Sequence, residues 1–278
     1  MLELPRSVRL AAWGTAVLTG AVRTADAVRA VTGDDEPHDV VTAPEPGGTP
    51  GGTPGSPPGA GARDLGALLA EFAAGGVPGL RVVLPVPGDV AGLPGPPAFN
   101  LVALAAGECV LADAGPAVRS GPPGAGVVPE VTVFGSEREP GAFVTWSVHP
   151  VPSRVPAVYG SLGEAERELR AGLAEAVEAL DHLDVARWRE DAADRVAAVR
   201  DGVLAPSAFP PGAPGRCVRV VATAARIRAV VDLAVTDDGA ALSSHEIRRR
   251  AGTLRVLDGV CRRAMVAAVA GLREPRRA

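Results

Sequence analysis

The chain contains no lysine and no glutamine, and it has a single asparagine, Asn100, and a single tyrosine, Tyr159. All 28 of its basic side chains are therefore arginines. The absence of lysine excludes Schiff-base enzymes, nucleotide-binding loops of the GxxxxGK[ST] type and Ser–Lys catalytic pairs. Because lysine, asparagine and tyrosine have A/T-rich codons, we interpret most of this scarcity as the mark of a GC-rich bacterial genome.

Aromatic residues are also scarce, at 3% of a chain whose hydrophobic content is an ordinary 47%. The core must therefore consist mainly of Val, Leu and Ala. Three tryptophans, at positions 13, 146 and 188, supply its few large anchors.

Cysteine is limited to Cys109, Cys217 and Cys261, which are widely spaced and include no CxxC motif. This pattern is typical neither of a disulfide framework nor of a zinc site, and it favours buried thiols in a reducing cytosol. The four histidines are equally scattered. From these patterns we predict no metal site and no cofactor.

Glycine and proline, in contrast, are abundant, with 34 and 27 residues. Thirteen of them lie within residues 43–62, where the sequence GGTP is repeated directly. Such a segment has no apolar surface to bury, so we predict a disordered linker there.

The remaining patterns predict an α+β protein with four parts. Residues 1–42 are predicted to form an N-terminal helix pair, residues 43–62 the linker, residues 63–158 a small mixed or antiparallel sheet with helices, and residues 159–278 a four-helix bundle.

Within the sheet region, two partly alternating runs at 127–134 and 141–148 predict an antiparallel hairpin. In the bundle region, a capping box at Ser161–Glu164 starts the first helix. The segment 216–235 is apolar nearly all round, which predicts the most buried helix of the bundle. Within it, Arg228 and Asp232 are spaced to form an ion pair.

The first residues allow two interpretations. Arg6 and Arg9 precede a mostly apolar run, as in a secretory leader. Glu3 and Pro5 do not suit a leader, and Leu4, Val8 and Ala11 suit an amphipathic helix, which we favour. No stretch is long and apolar enough to span a membrane, and we expect a cytoplasmic protein.

Charge is distributed unevenly over the predicted bundle. Residues 161–201 hold 11 acidic and 6 arginine side chains, whereas residues 245–278 hold 9 arginines and 3 acids. Arg248, Arg255 and Arg262 lie at seven-residue steps and could bind a polyanion. No aromatic residue lies between them for base stacking, and the acidic helices offer internal partners, so the pattern argues against nucleic acid.

The Pro/Gly-rich segment 85–100 is the main candidate for a functional loop. Pro87-Gly88 suits a type II turn and precedes Asp89, and Pro96-Pro97 marks the start of a helix. Asn100 would either cap that helix or point into a cleft with Asp89, and we expect the cap.

No catalytic motif is recognisable. An active site built from distant residues would use Asp89, Asn100 or His149, with Arg81, at the junction between sheet and bundle.

Three stretches, LPVPGDVAGLPGPPAFN, VTWSVHPV and ATAARIRAVVDLAVTDDGAALSSHE, resemble a family of uncharacterised actinobacterial proteins. The resemblance covers most of the chain except residues 43–62. It implies a cytoplasmic bacterial protein and brings no activity with it.

The sequence therefore favours a non-catalytic interaction or regulatory protein with a protein partner. An enzyme with a dispersed active site is the first alternative. Binding of a polyanion through the last helix is the second.

Overall fold

The computed structural model describes residues 1–33, 35, 37–43, 63–112, 124–136, 139–152, 160–181, 198–199, 201–236 and 244–273. These residues form two compact units. The sheet unit contains Pro5–Val158 and Ser207–Gly212, and the helical unit contains Met1–Leu4, Tyr159–Pro206 and Ala213–Glu274. Of the predicted linker at 43–62, only Ala43 is among the described residues.

The sheet unit combines helices and strands from nearly its whole length, in the order α1 (Arg6–Leu18), α2 (Thr24–Thr32), β1 (Asp39–Thr42), β2 (Arg63–Asp64), α3 (Leu65–Ala74), β3 (Leu80–Val83), α4 (Pro97–Ala106), β4 (Cys109–Ala112), β5 (Gly124–Ser136) and β6 (Glu139–Val151). The α+β class is confirmed.

One six-stranded mixed sheet forms the centre of this unit, in the order β2-β1-β6-β5-β4-β3. The pair of β1 and β6 is parallel, with Val40 opposite Trp146, and the other neighbours are antiparallel. The predicted hairpin is confirmed as β5 and β6, and both strands are longer than the sequence pattern indicated.

The two helices predicted for residues 1–42, α1 and α2, belong to the same compact unit as the sheet. Helix α1 packs closely on β3 because Gly14 has no side chain. A Cβ atom at this position would collide with the side chain of Leu80. Thr15 joins the two elements further, since its hydroxyl accepts a hydrogen bond from the Leu80 N–H at 3.0 Å. Most of the α1 residues from Ser7 to Ala16 are buried as a result, as are all four residues of β4.

Helix α4 covers the opposite face of the sheet. Its Phe99 and Ala103 are buried in one cluster with Val83, Cys109 and Leu111. Because side chains alternate along a strand, Leu80 and Val83 point to opposite faces. The sheet therefore lies between two helical layers.

The helical unit contains α5 (Leu162–Asp181), α6 (Gly215–Thr236) and α7 (Ser244–Gly271). The capping box at the start of α5 is confirmed: the Ser161 N–H donates to Glu164 Oε2 at 2.7 Å, and the Glu164 N–H donates to Ser161 Oγ at 3.3 Å. The fourth predicted helix, at 184–202, falls almost entirely outside the described residues.

From the apolar run 216–235 we predicted that α6 is the central helix of this unit. Of the three helices that the structure describes here, the central one is α7 instead. Both α5 and α6 pack mainly on α7 and make little contact with each other. Residues 259–269 of α7 are buried at every position but one, whereas α6 buries a single face. The Ala, Val and Met side chains of that segment allow close contact on both sides.

Candidate functional site

The loop between β3 and α4 is a rigid, hydrogen-bonded structure. Val86 and Asp89 exchange two backbone hydrogen bonds, at 3.0 and 2.9 Å, around Pro87 and Gly88. Gly88 has a φ of +90°, as the third position of a type II turn requires. The loop therefore has the predicted turn, and Asp89 is held at its end.

Asn100 stabilises the junction between this loop and α4. Its Oδ1 accepts a hydrogen bond from the backbone N–H of Gly95 at 2.9 Å. The N-cap position is occupied by Pro96, and Asn100 lies in the first helical turn. Our assignment of Asn100 as the N-cap was wrong by position, because the side chain reaches backwards to the loop instead of capping from in front.

His149 lies on β6, beside α4. Its Nε2 is 3.0 Å from Ser147 Oγ, and that hydroxyl donates to the carbonyl oxygen of Val128 at 3.3 Å. The Phe99 ring lies against the imidazole, with centroids 5.6 Å apart. Burial lowers the pKa of His149, which favours the neutral ring.

His149 and Arg81 occupy one cross-strand row, in which Leu111 and Gly126 lie between them. Three strand spacings separate their backbones by about 14 Å. The Phe99 ring packs directly over Gly126 and fills the space above that row. The structure therefore does not bring these two candidates together as a catalytic pair.

The outer face of α4 is apolar and exposed. The helix contains no charged residue, and it buries only Phe99 and Ala103. Leu101 is 68% exposed and Val102 is 41% exposed, and Val90 in the adjoining loop is 51% exposed. Sequence analysis missed this surface, although ten residues without a charge were a visible signal of it.

A second cluster was not predicted at all, and it runs from the core of the sheet unit, at Trp146 and His38, to the partly exposed side chains of Asp35 and Arg6. Trp146 Nε1 donates to His38 Nδ1 at 3.1 Å, and His38 Nε2 lies 3.3 Å from Asp35 Oδ2. Arg6 donates two hydrogen bonds to Asp35, each of 2.9 Å. We call these four residues the His38 cluster.

The indole N–H of Trp146 is only a donor, so His38 Nδ1 must act as an acceptor. The neutral ring then carries its proton on Nε2 and donates to Asp35. Burial lowers the pKa of His38, and the opposing influence of Asp35 does not offset it. Burial would raise the pKa of Asp35, but the hydrogen bond and charge of Arg6 hold it below its usual range.

The arginine stripe predicted on the last helix is not a continuous surface. Arg262 is 4% exposed, and its Nε donates to Asp258 at 2.8 Å. Asp258 also accepts from Arg228 of α6 at 2.8 Å, so Arg228 has a partner on another helix. Arg248 and Arg255 are exposed, as expected. Arg262 must be removed from the polyanion site, because it stabilises the contact between α6 and α7.

An open groove of about 210 Å³ separates α5 from α6. Its apolar lining is formed by Leu169, Leu173, Val220 and Ile227. Glu166, at its edge, is paired with Arg216 at 2.8 Å. Glu166 thus already has a partner within the protein.

The three cysteines are buried thiols, as predicted. Burial raises the pKa of Cys109 and of Cys261 to about 12. Both groups are therefore protonated and chemically inert near neutral pH.

Two further predictions concern metals and membranes. Within the described ranges, no group of three or more His, Cys, Asp and Glu side chains is placed to hold a metal ion. Among the helices that the structure describes, none has the length and apolarity needed to cross a bilayer.

Comparison with known proteins gives two consecutive matches to family models. Residues 7–159 match the model described as "Rv1486c-like protein, N-terminal domain", and residues 163–266 match the corresponding C-terminal domain. The boundary between the two models agrees with the boundary between the sheet unit and the helical unit.

Two mycobacterial relatives extend this result. The chain is 30% identical over 214 residues to "Uncharacterized protein Rv1486c" of Mycobacterium tuberculosis, an alignment that covers 69% of this chain and 70% of the relative. It is 33% identical over 209 residues to "Uncharacterized protein ML1804" of Mycobacterium leprae, with 68% and 67% covered. No solved structure matches significantly. The predicted resemblance to an actinobacterial family is confirmed.

Proposed function

This chain belongs to the Rv1486c-like family, and we propose that it is a non-catalytic interaction protein that binds a protein partner through the outer face of α4. The relatives carry no assigned activity, so the proposal depends on the structure of the sheet unit. The observation that carries it is the exposure of Leu101 and Val102 on a helix without any charge.

An α-helix that is apolar on all sides is normally buried on all sides. Helix α4 buries only the face that carries Phe99 and Ala103. Ala98, Leu101, Val102 and Ala105 lie on the remaining, exposed face. Exposed apolar surface of this kind is typical of a protein-binding site. The small and branched side chains suit an apolar, charge-poor surface on the partner.

The surroundings of α4 hold this face in a fixed position. Phe99 anchors the helix over Gly126, and Asn100 ties its first turn to Gly95. The turn at Val86–Asp89 stiffens the loop in front of it. A preorganised surface loses little conformational entropy on binding, which favours a stable complex.

The polar groups near α4 support binding more than catalysis. Asn100 is engaged with the Gly95 backbone, and His149 contacts Ser147, whose hydroxyl donates to Val128. Each of these bonds stabilises the fold of the loop or the sheet. We place this role in the bacterial cytoplasm, which three buried thiols support.

A comparison of three forms of the tagged full chain, expressed in its own host, tests the proposal. Leu101→Glu adds one charge to the outer face of α4. Val256→Glu, on the exposed side of α7, adds the same charge to a residue that is 62% exposed and serves as the matched control. Mass spectrometry identifies the proteins that copurify with each form, and circular dichroism verifies the fold.

We expect at least one protein to copurify with the wild type and with Val256→Glu but not with Leu101→Glu. An isolated charge in the centre of an apolar contact lowers affinity by roughly 100-fold or more. If Leu101→Glu retains every partner of the wild type, or if the wild type has none, the outer face of α4 is not the binding site.

A further inference from the structure

The outer half of β5 extends beyond β4, one of the two strands that flank it. Within the described part of the sheet, β4 pairs with residues 125–127 of β5, and the strand continues to Ser136. Residues 130–136 are exposed at all seven positions. On one side, they pair with β6 throughout.

Among the residues that the structure describes, no strand pairs with the other edge of this segment. An exposed strand edge presents a row of backbone donors and acceptors, which is a template for another strand. Proteins usually protect such an edge with charges or prolines. Pro129 and Glu130 lie at the inner end of this segment, and residues 131–136 contain neither a charge nor a proline.

The side chains of this edge are apolar on both faces. Val131 and Val133 lie on one face and are 38% and 72% exposed. Phe134 lies on the other face, is 38% exposed and stacks on Phe143 of β6, with ring centroids 4.4 Å apart. This composition favours association and not solvation.

We propose that the edge of β5 is the dimer interface of this protein, at which a second copy of the chain pairs antiparallel, with Val133 on the two-fold axis. The order of residues makes the segment complementary to itself in this register. Val131 faces Gly135 of the second copy, and Thr132 faces its Phe134, which is a favourable pair of a β-branched and an aromatic side chain.

Charge also favours a second copy in this register. Glu130 faces Ser136 of the other copy, so the two carboxylates do not meet. They lie about 20 Å apart, which is beyond the Debye length of about 8 Å at physiological salt. Because Glu130 is the only charged residue among residues 130–136, like-charge repulsion within the segment is small although the net charge of the chain is −4.

The resulting ribbon has four strands, in the order β6-β5-β5-β6. The Phe134 and Phe143 pairs of the two copies share one face with Thr132, and the valines share the other. Because each edge contributes only seven residues, we expect a modest interface with a dissociation constant on the order of 10 μM. This inference concerns β5 and does not depend on the proposed role of α4.

Sedimentation equilibrium of the full chain, from about 5 to about 200 μM, measures the association directly. Val133→Glu and Val133→Lys are the decisive variants, because the two-fold axis places each new charge opposite an identical charge. We expect each variant alone to be monomeric. We expect an equimolar mixture of the two to dimerise, since the opposite charges then face each other.

Two further variants serve as controls, one at the proposed interface and one on α4. Val133→Thr keeps a β-branched side chain and should dimerise, and Leu101→Glu should dimerise like the wild type, which separates this interface from the surface of α4. A monomeric wild type at about 200 μM, a Val133→Glu variant that still dimerises, or a mixture that stays monomeric would each overturn the inference. If the wild type is monomeric and binds a different protein that Val133→Glu does not bind, the edge of β5 is a binding site for that protein. This outcome would also overturn the inference.

Discussion

The indole nitrogen of Trp146 donates a hydrogen bond to Nδ1 of His38 across 3.1 Å, although 108 residues separate them in the chain. This bond holds β6 against the segment that leads into β1. It also fixes the tautomer of the imidazole, because a proton on Nδ1 would face the indole proton. The stability of the sheet unit is thereby linked to the protonation of one histidine.

Stability should decrease when the pH falls from about 7.5 to about 5.5. The pKa of His38 is lowered by burial, so the unfolded chain binds a proton that the folded chain resists. The contribution of His38 is complete above its unfolded pKa near 6.5 and is lost as the pH falls towards the lower folded pKa. Urea unfolding at several pH values measures the slope.

The variant His38→Asn is the control for this pH dependence, because it keeps an acceptor for Trp146 and does not titrate. Its unfolding free energy should depend less on pH than that of the wild type. His149→Asn isolates the second contribution, since burial also lowers the pKa of His149. Equal slopes for the wild type and His38→Asn would show that the His38 cluster does not cause the pH dependence.

Asp258→Ala should destabilise the helical unit by about 3 kcal/mol, because it removes the shared acceptor of Arg262 and Arg228. Arg262 is almost fully buried, and its charge is costly without a carboxylate. Arg263→Ala breaks a longer, partly exposed pair with Glu168 at 3.5 Å and should cost less than about 1 kcal/mol. Thermal and urea unfolding of the two variants give the comparison.

Gly126→Ala should destabilise the sheet unit by about 1–3 kcal/mol, because the added methyl group meets the Phe99 ring and comes within 2.9 Å of Val151 Cγ1. In combination with Phe99→Leu, the loss should be smaller than the sum of the two single losses. Gly252→Ala is the matched control in α7, where nothing lies within 4 Å. That change should stabilise by up to about 1 kcal/mol.

We expect no retention on heparin at about 0.15 M salt. Arg262 points into the helical unit, so only Arg248 and Arg255 of the predicted stripe are exposed. Two separated arginines supply too few phosphate contacts for stable binding. Retention that decreases with salt and disappears in Arg248→Ala/Arg255→Ala would contradict this expectation and restore the polyanion role.

Local patterns in the sequence were sufficient to predict local structure. The capping box of Ser161 and Glu164, the β5–β6 hairpin and the turn at Pro87-Gly88 depend on residues a few positions apart. Their hydrogen bonds are formed within one element or between consecutive ones. Their chemistry is therefore visible in a short window of sequence.

Contacts between distant segments were not predictable in the same way. Arg228 has an acid four residues later, yet its carboxylate partner across the helix contact is Asp258. In the sequence, His38 is one of four scattered histidines. Only the position of β6 in the sheet shows that Trp146 lies beside it. Likewise, the apolar character of 216–235 indicated burial, but only packing shows that α7 is central. One chain without its fold does not reveal which helix has two neighbours.

The strand pair β1–β2 has a consequence for residues 43–62. Val40 lies directly opposite Arg63 in that pair, and Asp39 lies opposite Asp64. The chain leaves the sheet after Thr42, two residues beyond Val40, and returns at Arg63, so the two ends are roughly 8 Å apart. The length of the intervening segment is not constrained by the geometry of the fold, because a short turn spans the same gap. We therefore expect the protein to accept a deletion or an inserted reporter at this position without loss of the fold.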